Sequence, residues 1–208
     1  MDSVRTTGMG IDARRETPYF DPEDYVLHHI QRAVANEQTI DVALDSGGAV
    51  RIFGREGRFA ADVYDMETFC TLPASYFRVE VAPCDGLHGG CDITDLLWQA
   101  AFYASQGRLI RGCYHYDVVD LVRWPNLTRL PGLEQGVRLA ALLNRHPTSI
   151  LLASRLLDID AADIYRFYSA AHCAGLVRVL NRESETPTLR PHAKRGVLGL
   201  ILRRLAGR

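Results

Sequence analysis

The 208-residue chain has no apolar run that approaches the ~18 to 20 residues needed to span a bilayer, so no integral membrane contact is expected. Residues 1–17 are polar and lack the apolar stretch of a secretory signal. Cysteines are few and odd in number, five in all, which disfavours a disulfide framework and favours free thiols in a reducing compartment. Lysine is almost missing, since Lys194 stands beside 23 arginines, a usage common in GC-rich bacterial genomes. These absences predict a bacterial protein of the cytoplasm.

Motifs of common catalytic and nucleotide-binding sites are also missing. The chain contains no G-x-x-x-x-G-K-[ST], G-x-G-x-x-G, H-E-x-x-H or G-x-S-x-G. Asp117 and Asp120 could form a carboxylate pair, but their valine and leucine neighbours are more typical of polar residues at a strand edge. The sequence therefore favours a non-catalytic protein and predicts no cofactor.

One glycine-rich segment contains residues that could hold a metal ion. Cys84, His88 and Cys91 are of the types that ligate zinc. Their C-x3-H-x2-C spacing lacks the paired C-x2-C of a zinc knuckle, and a fourth ligand would have to come from another part of the chain. A flexible loop with incidental thiols is the favoured interpretation, and a metal-binding or thiol enzyme centred on this loop is a third-ranked hypothesis.

The formal net charge of −1 conceals an uneven distribution. Residues 1–136 carry a balance of −8, whereas residues 137–208 carry +7. A basic end suits nucleic acid, an acidic partner or an anionic surface. The alternative is that the two oppositely charged parts pack against each other.

Local patterns predict an α+β fold with an N-terminal antiparallel sheet and helices. Residues 1–20 show no periodicity and predict a mobile tail, and residues 125–135, with two prolines and a glycine, predict a packed linker. The domain between them, at 21–124, is expected to contain a helix from Asp21 to about Asn36, an antiparallel meander at 39–44, 49–53, 59–64 and 76–82, a helix at 95–105 packed against the sheet, and a strand within 113–122.

The C-terminal third contains three helical patterns and then a strand, a turn and a return strand. The helices are predicted at 136–144, at 150–157 and from Asp160 onward, and the strands at 176–180 and 188–190. In the third helix, one apolar stripe is expected to face inward, which leaves Arg166 exposed. The stripe consists of Ile164, Phe167, Tyr168 and Ala171.

The run from Pro147-Thr148-Ser149 through Gly175-Leu176-Val177 resembles the winged helix-turn-helix family, and the resemblance covers about residues 133–190. It implies a winged-helix-like domain at 136–190. The partner- or nucleic-acid-binding residues that it implies are Arg166, Ser169 and His172 on the third helix and Arg178 and Arg182 on the wing. Asp160 and Asp163 at the start of that helix depart from the family's DNA-reading pattern, because they would meet phosphates with like charge.

The last segment, residues 191–208, predicts a basic amphipathic helix. Its leucine and isoleucine stripe is expected to dock on the body of the protein or in a homodimer. The basic residues that complete the candidate binding set are Lys194, Arg195, Arg203 and Arg204.

Three hypotheses of function follow from these patterns. The leading one is a non-catalytic regulatory or adaptor protein that acts through protein–protein contacts, with or without a small-molecule ligand, of an α+β domain and a winged-helix-like domain. The second is a transcriptional regulator that binds DNA through the wing and the basic tail. The third is the metal-binding or thiol enzyme described above. A protein partner or a homodimer is expected, and DNA is the alternative partner.

Overall fold

The computed structural model describes residues 17–83 and 90–182, which form an α+β fold, as predicted. The α-helices in these ranges are α1 (Val26–Ala35), α2 (Met66–Thr71), α3 (Ile93–Ser105), α4 (Gly136–Arg145), α5 (Ile150–Leu157) and α6 (Ala161–Cys173). The strands are β1 (Tyr19–Phe20), β2 (Thr39–Leu44), β3 (Ala49–Phe53), β4 (Arg58–Asp62), β5 (Phe77–Val81), β6 (Cys91–Asp92), β7 (Leu109–Ile110), β8 (Val118–Leu121), β9 (Thr148–Ser149) and β10 (Val177–Val179). Among the described helices, none has the length and apolar character to cross a membrane.

Several predicted elements fall outside the described residues. These are most of the N-terminal tail, the return strand at 188–190 and the basic helix at 191–208. The last part of the predicted tail is described and belongs to the fold. Tyr19 and Phe20 pair in parallel with β7, and Phe20 is buried with the guanidinium of Arg108 over its ring. The sequence did not indicate this short strand because one buried aromatic ring gives no periodic signal.

The five-stranded sheet has the order β5-β2-β3-β4-β6, with antiparallel neighbours throughout. The meander prediction is confirmed for β2, β3 and β4, but it was wrong for β5, which pairs with β2 instead of β4. The unpredicted helix α2 explains the difference. Asp65 caps that helix by accepting the N–H groups of Glu67 and Thr68, and Phe69 packs edge-to-face on Phe77 with ring centroids 4.8 Å apart. The chain therefore crosses over the sheet before β5 begins.

Helix α3 is buried at the centre of the helical layer, as its almost continuous apolar surface predicted. It contacts β4 and β6 of the sheet, as expected, but its principal neighbours are the helices α6, α2 and α1. Trp98 shows the arrangement: its ring lies edge-to-face on Phe167 of α6 at 5.3 Å. The indole N–H of Trp98 donates to the carbonyl of Pro131 at 2.9 Å, which fixes the connector between the two parts of the chain.

Helices α4 to α6 pack with a second sheet of the order β10-β8-β9, which is also antiparallel. Its middle strand, β8, precedes residue 124 and was predicted to belong to the N-terminal domain. One cluster of buried apolar residues extends from Phe20 to Val177. The core therefore has no gap at the predicted boundary, 125–135. The sequence did not indicate this because pairing between distant strands has no local sequence signature.

The inward stripe of α6 is confirmed: Ile164, Phe167, Tyr168 and Ala171 are all buried.

Replacement of Phe167 by Ala should lower the free energy of unfolding by ~3 to 5 kcal/mol, through lost transfer energy and a cavity beside Trp98. Chemical denaturation measures this loss. The matched control is Leu156→Ala at an exposed position of α5, which should change stability by less than ~0.5 kcal/mol. Equal, small losses in the two variants would contradict the assigned inner face of α6.

Candidate functional site

The outer face of the five-stranded sheet is not covered by any of the described helices, and we call it the sheet platform. The strand register places two rows of side chains across it. One row consists of Glu80, Asp41, Arg51 and Ala60, and the next consists of Arg78, Ala43, Ala49 and Asp62. Because side chains alternate along a strand, the residues between them face the helices and form the core.

Several charges of the sheet platform form ion pairs. Arg51 donates two parallel hydrogen bonds of 2.6 Å to Asp41, from Nε to Oδ1 and from Nη2 to Oδ2. This contact with the Arg51 guanidinium lowers the pKa of Asp41 below its ordinary value. Arg78 lies 3.3 Å from Glu80 and 3.9 Å from Asp45, and all three side chains are exposed. A bidentate pair is geometrically specific, so the platform presents a defined pattern of both signs.

Three alanines form the floor between these charges: Ala43, Ala49 and Ala60. The resulting concavity has a volume of about 520 Å³ and is wide and shallow. It contains no cysteine, histidine or serine among its lining residues, so nothing in it resembles an activated nucleophile. A low floor with polar walls suits the projecting side chains of a protein better than an enclosed small molecule.

The predicted binding residues of α6 do not form an exposed face. Ser169 is fully buried, and its hydroxyl oxygen accepts the N–H of Ile110 at 3.0 Å. His172 is largely turned inward beside the ring of Tyr168, and burial lowers its pKa to about 4, so its imidazole is neutral at pH 7. Arg166, expected to be exposed, is half-buried. Ser169 is therefore not accessible to a partner, and Arg166 and His172 are only partly accessible, because α6 is covered on several sides and not on one stripe.

Arg166 lines a cleft between α2, α3 and α6 with a volume of about 560 Å³. Asp65 and Glu67 face the same cleft, together with Tyr103, whose pKa is raised by burial. The two carboxylates give this cleft an acidic character. Arg166 therefore faces acids of its own chain, which is a poor position for a contact with phosphate.

The two predicted wing arginines are both held in ion pairs. Arg178 is exposed and contacts Asp120 at 2.7 Å across the β10–β8 pair. Arg182 lies much deeper and contacts Asp117, whose side chain is fully buried. Asp117 and Asp120 thus do not form a carboxylate pair, and only Asp120 lies on a strand, as a partly exposed residue.

Asp117 is the centre of a buried polar network. Its Oδ1 accepts Arg182 Nε at 2.6 Å, and its Oδ2 accepts Arg182 Nη2 at 2.8 Å, the hydroxyl of Tyr168 at 2.7 Å and the N–H of Tyr114 at 2.8 Å. Arg182 also donates to the carbonyl of Gly112 at 2.7 Å and stacks over the ring of Tyr114. The hydrogen bonds to Asp117 raise the pKa of Arg182, and burial raises the pKa of Tyr168. The network binds three separate segments of the chain together.

The remaining candidate residues are not brought into one site. Lys194, Arg195, Arg203 and Arg204 lie outside the described residues, as do Cys84 and His88. Cys91 is described and is exposed on β6. Within residues 17–83 and 90–182, no group of three or more His, Cys, Asp or Glu side chains is arranged to hold a metal ion.

The sequence prediction missed the sheet platform. Its signal was present in each strand, because Asp41 and Ala43, Arg78 and Glu80 alternate with apolar residues. What the sequence did not indicate was that β5 lies beside β2, which brings these pairs into common rows.

Comparison with protein families, with curated proteins and with solved structures gave no match for this chain.

Asp117→Asn tests the buried network, because it removes the charge and retains the shape. Breaking a buried ion pair costs ~3 to 5 kcal/mol, and we expect a loss of unfolding free energy near the lower end because Arg182 is partly exposed. Asp120→Asn removes an equivalent but more exposed partner and should cost less than ~1 kcal/mol. Urea denaturation compares the two. A loss at Asp120 as large as that at Asp117 would contradict the central role of the buried pair.

Proposed function

We propose that this protein is a non-catalytic regulatory or adaptor protein that binds another protein through the sheet platform. The observation that carries the proposal is a sheet face that no described helix covers, on which charged residues, among them the Arg51–Asp41 pair, surround a floor of alanines. Antiparallel sheets commonly leave one face to water, but a face of small residues surrounded by charged side chains offers shape as well as polarity. Both properties are required for a specific protein contact.

The mixed charge of the platform supports a protein partner over nucleic acid. A phosphate backbone favours surfaces of one positive sign, and here Asp41, Asp62 and Glu80 accompany Arg51 and Arg78. Opposite signs at fixed spacing instead favour a partner whose own charges are complementary, since a wrong partner meets like charges.

The C-terminal part of the chain, helices α4 to α6 with their sheet, has features that favour a second protein-binding surface. Its three helices and three-stranded antiparallel sheet support the proposed winged-helix-like domain. Leu152 and Leu156 are exposed one turn apart on α5, where apolar side chains would gain little from phosphates. Arg178 and Arg182 are engaged with Asp120 and Asp117, which further favours a protein contact over DNA at the wing.

Partner capture tests the platform. The tagged full chain is cross-linked in cells of its source, and the captured proteins are identified by mass spectrometry. The wild type should capture a defined protein, and the Ala60→Arg variant should not, because the new side chain fills the floor of the platform. With the purified partner, the substitution should weaken binding by ~30-fold or more, the effect of a disrupted interface centre.

The matched control is Ala141→Arg, at an exposed position of α4. This variant should bind the partner as the wild type does. Undiminished capture by Ala60→Arg, with loss by Ala141→Arg, would transfer the contact to the C-terminal helices and overturn the platform as its site.

DNA binding through the wing and basic tail is the alternative function, supported by the basic balance of residues 137–208. Titration of the full chain with random duplex at several salt concentrations separates the two. Each neutralised phosphate contributes a slope of ~−0.9 to log K against log salt, and the adaptor proposal predicts a slope near zero. A steep slope that disappears when Lys194, Arg195, Arg203 and Arg204 are replaced by Gln would support the DNA alternative.

A further inference from the structure

Strand β5 forms an open edge of the five-stranded sheet. It pairs with β2 over five residues in uninterrupted register, and no described residue pairs with its other side. The opposite edge is β6, which has only two residues. Edge strands are commonly protected by proline, a bulge, shortness or charged side chains, and of these β5 itself has only the charges, on Arg78 and Glu80.

The direction of the free backbone groups follows from one hydrogen bond. Ala82 donates its N–H to the carbonyl of Thr39 at 3.0 Å, so Ala82 points toward β2. Because backbone direction alternates in an antiparallel pair, Arg78 and Glu80 also point toward β2, whereas Val79 and Val81 direct their N–H and C=O groups to the open edge.

We propose that this edge pairs with the β5 strand of a second copy of the chain, antiparallel and centred on Val79, to form a symmetric dimer with a continuous ten-stranded sheet. The inference is independent of the proposed partner-binding function. In this register the two Val79 residues exchange both hydrogen bonds. Each Val81 N–H reaches the Phe77 carbonyl of the other copy, which is also directed outward.

Charge selects this register over its neighbours. Centred on Val79, Arg78 of each copy lies directly opposite Glu80 of the other, in a position where cross-strand side chains approach closely. A dimer centred on Arg78 would set arginine against arginine, and one centred on Glu80 would set glutamate against glutamate. The strand is thus complementary to itself in one register, as a two-fold symmetric interface requires.

Burial favours the same arrangement. Val79 and Val81 lie on the helix-facing side of the sheet, yet they remain 38% and 76% exposed, so the described helices leave this edge partly uncovered. Phe77 on that side is covered by Phe69 of α2. The proposed register sets Val81 of one copy beside Phe77 of the other, so each copy supplies the apolar cover that the other lacks.

Sedimentation of the full chain over a dilution series tests the dimer. The wild type should pass from twice the mass of one chain to the mass of one chain on dilution. Arg78→Glu and Glu80→Arg should each raise the dimer dissociation constant by ~tenfold or more, because each sets like charges opposite one another. The double variant Arg78→Glu/Glu80→Arg should restore the dimer, and so should an equimolar mixture of the two single variants.

Val79→Pro examines the backbone, because it removes an outward N–H that β2 does not use. Circular dichroism should show an unchanged fold, and the dimer should be lost. Arg55→Glu, at an exposed turn position, is the matched charge control and should leave the dimer intact. A wild type that stays monomeric at every concentration, or a dimer that persists in both single charge variants, would overturn the proposal.

Discussion

The buried carboxylate of Asp117 is the contact on which the assembly of the described chain depends most. A charge removed from water costs several kcal/mol unless partners replace the lost hydration, and here Arg182, Tyr168 and the Tyr114 N–H all do so. These partners come from α6, from the loop before β8 and from the segment after β10. Because these partners come from separate segments, the network ties α6 and the segment after β10 to the loop before β8.

Ion pairs within the chain account for part of the opposite net charges of residues 1–136 and 137–208. Arg178 and Arg182 come from the basic part, and Asp120 and Asp117 come from the acidic part. Both pairs join the end of the C-terminal sheet to β8 or its preceding loop, so the two parts neutralise each other where they meet. Arg182, which completes a buried pair, is therefore not available for a phosphate or an acidic partner, whereas Arg178 keeps an exposed side chain beside Asp120.

Periodicity predicted the elements well and their neighbours poorly. β2, β3 and α5 begin and end at the predicted residues, because alternation and the 3.6-residue period are local properties. The place of β5 beside β2 depends on contacts between residues distant in sequence. The same limit applies to Asp117: among valines and leucines it resembled a strand-edge polar residue, and only the distant Tyr168 and Arg182 reveal its burial.

The described helices cover one face of the five-stranded sheet and leave Val79 and Val81 at its β5 edge partly exposed, so among the described residues the sheet has an open face and an open edge. The two suit different contacts, since an edge offers backbone groups and a face offers side chains. Antiparallel pairing at the edge has its two-fold axis perpendicular to the sheet, which would place both platforms on the same side of the dimer. Edge pairing would therefore lengthen the platform without covering its alanine floor. A partner with two suitable sites would then bind both copies with an avidity that neither platform has alone.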